Sequence, residues 1–361
     1  MSENDQTNYK SVVIANLVKV AVFLIISLLM VSKLSSLLVG SKYIQTWMET
    51  TSENPICTVP MDSLEVISFG SSWGMTSFSP LELYGEYGIN AYNYSSEQQA
   101  PIVSYYLFNE LIKRQKNLKV LLLNPYTLTR NWNYGLARKA FDRIPLSFEK
   151  VNGVKELVEM RPDDPFISYI IPLYKFHTRW KELNKYDFMK SIPNVANGKY
   201  KIMNGFLMGF GNQAISNFYG ISEDTGTDTY PIKEDAKYYF TKMAELCRIH
   251  NITLILYMQP VTTDPVYHNT LQVFAESIGV PLLDFNMNSL AVAADINWNT
   301  DIGGHQATSG AVKVSRYIGK YLKENYALTD VRKNPKYKYL ESKYSEYIDD
   351  LASISFVNHQ N

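Results

Sequence analysis

The chain has 361 residues, 46% of them hydrophobic, with 35 basic and 35 acidic side chains and a formal net charge of zero. That length suits one large domain or two small ones, and nothing in the balanced charge suggests electrostatic attraction to nucleic acid. Two cysteines, Cys57 and Cys247, exclude a disulfide-rich scaffold and a cysteine-ligated zinc site, leaving at most one bridge between them.

Residues 1–10 form a short polar tail, and the chain is strongly apolar from Val12 to Val39. Lys19 and Lys33 interrupt this run, but lysines near helix ends extend their ammonium groups to the headgroup layer. No small-residue cleavage site follows at the expected distance, which disfavours a removed signal peptide. Residues 11–40 are therefore expected to be an uncleaved transmembrane signal anchor. Lys10 and Lys19 precede it while Lys33 and Lys42 follow, so flanking charge barely discriminates orientation. A short tail before the span and a long domain after it fit a single-pass bacterial anchor with the domain outside.

Residues 41–62, with Pro55 and Pro60, read as a stalk. Strand-like runs then alternate with helix-like ones. The strands are expected at Leu64–Gly70, Ala91–Tyr94, Lys119–Asn124, Thr253–Pro260 and Pro281–Asn286. Helical character falls at Leu81–Tyr87, Ile102–Lys116, Asp235–His250, Val266–Ile278 and Ser309–Asn325. In the last, Val314, Tyr317, Ile318, Tyr321 and Leu322 make one apolar stripe. This alternation predicts an α/β domain over residues 63–327 with a parallel sheet covered on both faces. From about 125 to 231 no clear strand appears, and a structureless loop of that length is implausible. A partly helical insertion is expected there. The tail, 328–361, reads as a polar helix or a mobile end.

The chemistry concentrates at the two ends of this domain. Leu64 to Phe69 is a β-branched, apolar run that ends in Gly70-Ser71-Ser72-Trp73. Open α/β sheets place ligands at the carboxyl ends of their strands, so a hydroxyl there is positioned for nucleophilic work. Serines in such places are most often turn residues bonding their own backbone. The base candidate is His305, in Asp301-Ile302-Gly303-Gly304-His305 before the final helix. Serine, imidazole and carboxylate together are what acyl transfer requires.

These residues resemble the SGNH/GDSL hydrolase superfamily, and within it the membrane-anchored, cell-envelope branch that includes D-alanyl transfer proteins and exopolysaccharide O-acyltransferase partners. The resemblance implies a three-layer α/β/α flavodoxin-like domain, with Ser72 as nucleophile and its own N–H as one oxyanion donor. It implies His305 as base and Asp301 as the carboxylate that orients it. Asp301 lies one residue further from His305 than the family's Asp-x-x-His, and Asp295 is the other candidate. The family's second block normally offers a glycine N–H; its counterpart here, Tyr92 to Gln99, contains none, leaving Gln98. The third normally offers an asparagine after the third strand, matched by Asn124.

Phe176-His177-Thr178-Arg179-Trp180 in the insertion also resembles segments of envelope-anchored relatives from Gram-positive bacteria. Its bland reading is an amphipathic helix with its aromatics packed inward and the arginine in an ion pair. The sharper reading lines a glycan groove with His177, Arg179 and Trp180, tryptophan stacking on a sugar and arginine binding an anionic group. His250, His268 and His359 read as exposed or structural, and no spacing indicates a catalytic metal or a cofactor. The chain's 27 tyrosines suit sugar recognition but equally fill half-buried positions.

Three functions are therefore expected to compete. The first is an extracytoplasmic serine esterase or O-acyltransferase acting on a cell-envelope polysaccharide or teichoic-acid-like polymer. The second is an inactive SGNH-like module that binds glycan or assists a membrane-bound O-acyltransferase. The third is a purely structural envelope protein.

Overall fold

The computed structural model describes residues 3–44, 56, 59–183, 185–188, 201–209, 220–303 and 305–358. Most of the expected stalk lies outside these residues, as do Cys57 and His359. Cys247 is a buried, free thiol, its pKa pushed up by burial.

The chain opens with helix α1, Glu3–Ile44. Its stretch Val12–Ser35 is long and apolar enough to cross a membrane, and no residue of its 18-residue apolar window is buried by the rest of the protein. At 1.5 Å per residue its 24 residues extend about 36 Å, against a hydrocarbon core of about 30 Å.

Five short strands form one parallel sheet: β1 (Val66–Phe69), β2 (Ala91–Asn93), β3 (Val120–Leu123), β6 (Thr253–Met258) and β7 (Leu282–Asp284). Their order is β2-β1-β3-β6-β7. β1 and β3 are buried at every position, because a sheet covered on both sides has no solvent face and tolerates continuous apolar runs. Side chains alternate between two cores. Ile67, Phe69, Leu121 and Leu123 meet helices α4 (Pro101–Arg114), α9 (Glu234–Ile249) and α10 (Pro265–Ser277). Val66, Val120, Leu122 and Ile255 meet α3 (Pro80–Tyr87) and α12 (Thr308–Asn325), through Leu83, Val314, Ile318 and Leu322. Each such burial contributes roughly 1.5–3 kcal/mol, so the strand runs and helix stripes settle the three layers together. Three covering helices start with proline at the first turn, where the missing N–H costs nothing.

The insertion holds α5 (Tyr134–Arg143), α6 (Phe148–Met160), the single turns α7 (Ile167–Ile170) and α8 (Leu173–Phe176), and, following α8, two 3₁₀ segments, His177–Glu182 and Lys185–Phe188. It also contains an antiparallel hairpin, β4 (Lys201–Met203) with β5 (Phe206–Met208), where no strand was expected. The signal was the Asn204-Gly205 pair, both at positive φ (47° and 82°), the two-residue loop that right-twisted hairpins favour. Each strand is only three residues long, too short for its alternation to register.

The tail carries a 3₁₀ turn and α13, Tyr339–Asn358. Tyr347 of α13 is fully buried, and its hydroxyl donates to Glu82 of α3 at 2.8 Å. The described tail residues, 329–358, therefore join the fold rather than trailing from it.

Candidate active site

β1 pairs with β2 on one side and β3 on the other, so consecutive connections leave in opposite directions around it. At such a switch point an open sheet presents its carboxyl ends to ligands. The helix α2, Ser72–Ser77, starts there. Ser71 is its N-cap: the hydroxyl accepts the Trp73 N–H at 3.2 Å, and the residue is buried. The ordinary turn role thus falls on Ser71. Ser72 is the half-buried first residue of the helix, and its Oγ is hydrogen-bonded to none of the described residues.

Gly70 is not at positive φ, so a sharp turn is not what requires it. A β-carbon there would lie 2.7 Å from Asn124 Cβ. One helical turn on, a β-carbon on Gly74 would lie 2.8 Å from Ser95 Oγ and 3.2 Å from Asn124 Cβ. Glycine at both positions lets α2 press against the ends of β2 and β3. Asn124 is thereby held against the backbone on both sides of Ser72.

Under the helix lies a buried polar layer. Tyr257 Oη sits 3.3 Å from Ser68 Oγ and 3.4 Å from both Ser77 Oγ and the Gly74 carbonyl, and burial pushes its pKa up to about 12. The Asn124 amide donates to Gln259 Oε1 at 2.7 Å and to the Tyr257 carbonyl at 3.3 Å. Asn124 Oδ1, Gln259 Nε2 and Ser95 Oγ are buried without a partner among the described residues. Buried polar atoms rarely go unpaired, and three around one glycine-lined edge mark a place built for polar contact.

His305 is half-buried in the loop before α12, and burial lowers its pKa from the ordinary 6.5. It is therefore neutral at pH 7, as a base must be. α12, the helix that follows His305, packs on α2, the helix that starts at Ser72. The Asp301 carboxylate, fully buried, is occupied elsewhere: it accepts the Asn297 N–H at 2.8 Å and the Thr300 hydroxyl at 3.2 Å, and pairs with Lys313 at 2.9 Å. Asp295 is exposed and reaches the same lysine at 3.3 Å. Desolvation by burial is the cause of the His305 shift. No protein-family model matches this chain, and no curated protein matches its sequence.

The remaining expected site residues are Gln98, His177, Arg179 and Trp180. Gln98 is exposed in a tight turn at φ 42°; its buried neighbour Gln99 instead ties Ser96 to Ser104, at 2.8 and 2.9 Å. His177 and Trp180 are exposed, and His177 Nδ1 meets only the nearby Tyr174 carbonyl, at 2.9 Å, among its described contacts. Arg179 is buried: its guanidinium donates to the Leu37 carbonyl at 3.3 Å and to the Leu38 carbonyl, and pairs with Asp187. The described contacts of this segment are with α1 and the neighbouring short helices.

Two features escaped the sequence. His268, expected to lack a companion, places Nδ1 2.8 Å from Asp284 Oδ2 at the end of β7. Asn286 steadies that carboxylate through its N–H at 3.0 Å and its amide at 2.7 Å. Beside Ser72, the Trp73 ring lies 4.2 Å from that of Tyr126, and exposed Arg130 stands 5.5 Å over Trp73 and 4.9 Å over Tyr126. Among the described residues no group of His, Cys, Asp and Glu could hold a metal ion.

Proposed function

We propose that this chain is a membrane-anchored serine acyl hydrolase or O-acyltransferase of the SGNH/GDSL type. It acts outside the cytoplasm on acyl groups of a cell-envelope polysaccharide or teichoic-acid-like polymer. The observation that carries this reading is Ser72 itself. Its hydroxyl is left unengaged at the head of a helix on the switch-point edge, while Ser71 performs the capping.

In the proposed reaction Ser72 Oγ attacks the acyl carbonyl as its proton passes to neutral His305. The Ser72 N–H, without an intrahelical acceptor at the first helical position, stabilises the oxyanion. The Asn124 side chain is the proposed second donor, as the family resemblance implies. Collapse of the tetrahedral intermediate expels the sugar oxygen, which takes the proton from the imidazolium. The acyl-serine then passes to water or to another sugar hydroxyl, with His305 again accepting the proton. Asp301 serves by holding the loop to α12. The strand order β2-β1-β3-β6-β7 supports this reading, since a flavodoxin-like domain is what the resemblance implies.

One observation favours a non-catalytic module that binds glycan or assists a membrane-bound O-acyltransferase. The carboxylate nearest in sequence to His305 is engaged by Lys313 instead of the imidazole. Fluorophosphonate labelling of the full chain separates the two. Labelling lost in Ser72→Ala supports the hydrolase, whereas a folded wild type that takes no label supports the module.

A further inference from the structure

Exposure along α1 changes abruptly. Large apolar residues are exposed from Val12 through Leu34, and then Ser35 and Leu38 are buried. The insertion covers them. The Leu173 N–H donates to Ser35 Oγ at 3.3 Å, and Arg179 reaches the Leu37 and Leu38 carbonyls while paired with Asp187. The segment from α8 to the second 3₁₀ turn is thus clamped onto the helix where its span ends.

Depth follows from helix geometry. Ser35 is the last residue of the span, and Leu38 lies about 4.5 Å further along the axis. The headgroup layer beyond the hydrocarbon core is roughly 5–7 Å thick. A segment fastened to Ser35 through Leu38 is held within that layer if α1 crosses a bilayer.

The surface of the segment matches this place. Phe166, Ile167, Ile171, Tyr174, Trp180 and Phe188 are all exposed, the last three at 58%, 63% and 67%. Singly exposed apolar residues are ordinary, but six within one short stretch beside an apolar span are not. Tryptophan and tyrosine are the residues enriched at membrane interfaces, and Lys181 stands beside the Trp180 ring, 5.5 Å from its centroid, able to meet lipid phosphates.

We propose that residues 166–183 and 185–188 form a lipid-seated collar against the emerging helix, with Tyr174, Trp180 and Phe188 embedded in the headgroup boundary of the bilayer. This rests on reading α1 as a membrane span. The collar turns a single flexible tether into a two-point attachment and fixes the height of the insertion above the membrane. Trp180 and Arg179 then have complementary tasks, one gripping lipid and the other gripping α1.

The test uses the full chain in phosphatidylcholine–phosphatidylglycerol vesicles whose acyl chains are brominated either near the carbonyl or near the chain end. The fluorescence of Trp180 is the difference between wild type and Trp180→Phe. The collar requires that this component lose most of its intensity to the carbonyl-proximal bromines and much less to the deep ones. A second variant, Phe188→Trp in the Trp180→Phe background, should regain the same shallow quenching. If neither probe is quenched in protein that resists alkaline carbonate extraction, the collar is wrong while the anchor stands, and the face belongs to a membrane-embedded protein partner. If carbonate releases the chain, the anchor reading fails and takes the collar with it.

Discussion

The Asp301 carboxylate lies 2.9 Å from the Lys313 ammonium, joining the loop that carries His305 to the second turn of α12. Asp301 is fully buried and Lys313 partly exposed, so removing the charge leaves the lysine a route to water. Asp301→Asn is expected to lower stability by about 1–3 kcal/mol, less than for a fully buried pair. Turnover should fall modestly. Thermal unfolding and ester hydrolysis measured together decide the role. A loss near 10⁴-fold in kcat with unchanged stability would instead make Asp301 the carboxylate that orients the imidazole.

The pH profile tests His305 independently. Its folded pKa is depressed by desolvation, so neutral His305 contributes stability that is whole above about 6.5 and is lost as pH falls below it toward the folded value. The same shift places the acid limb of kcat/KM below pH 6.5. A limb above 6.5 would mean that a carboxylate stabilises the imidazolium, contrary to the arrangement of Asp301. His305→Ala should abolish the limb and lower turnover by roughly 10²–10⁴-fold.

Much of this architecture was legible because buried strands and amphipathic helices leave long periodic signals. All five sheet strands fall within the runs read from the sequence, and α12 starts one residue before the helix expected from Ser309. What escaped was set by contacts far apart in the chain. Nothing near His268 announces Asp284, because the pair forms only when α10 packs beside β7. Arg179 reads equally well as a ligand-binding cation until α1 supplies Leu37 and Leu38 carbonyls from over a hundred residues away. The role of Gly70 was legible as a glycine but not as a contact, since only the fold puts Asn124 against it.

Gly70 and Gly74 should respond differently to a methyl group. At Gly70 the new carbon meets Asn124 Cβ at 2.7 Å, an atom fixed to the backbone at the end of β3. Gly70→Ala is expected to cost about 1–3 kcal/mol and to reduce fluorophosphonate labelling of Ser72. At Gly74 the closest atom is the Ser95 hydroxyl oxygen, which can rotate away, and alanine adds up to about 1 kcal/mol of helix propensity. Gly74→Ala should therefore leave stability within about 1 kcal/mol of wild type. Denaturant melts of the two variants check the contrast.

Arg130 bears on which esters are chosen. Its exposed guanidinium lies over Trp73 and Tyr126, next in line from Ser72, and no carboxylate pairs with it among the described residues. A cation held on aromatic faces is oriented without being neutralised, which suits it to an anionic group on the polymer. Arg130→Ala should raise KM for an acylated anionic glycan by about tenfold, the worth of one charge-assisted hydrogen bond. Hydrolysis of a small neutral ester should stay unchanged. Lysine should rescue only part of the loss, because a point charge cannot reproduce the planar, bidentate fork. Equal losses on charged and neutral esters would show instead that Arg130 merely props Trp73 beside the nucleophile.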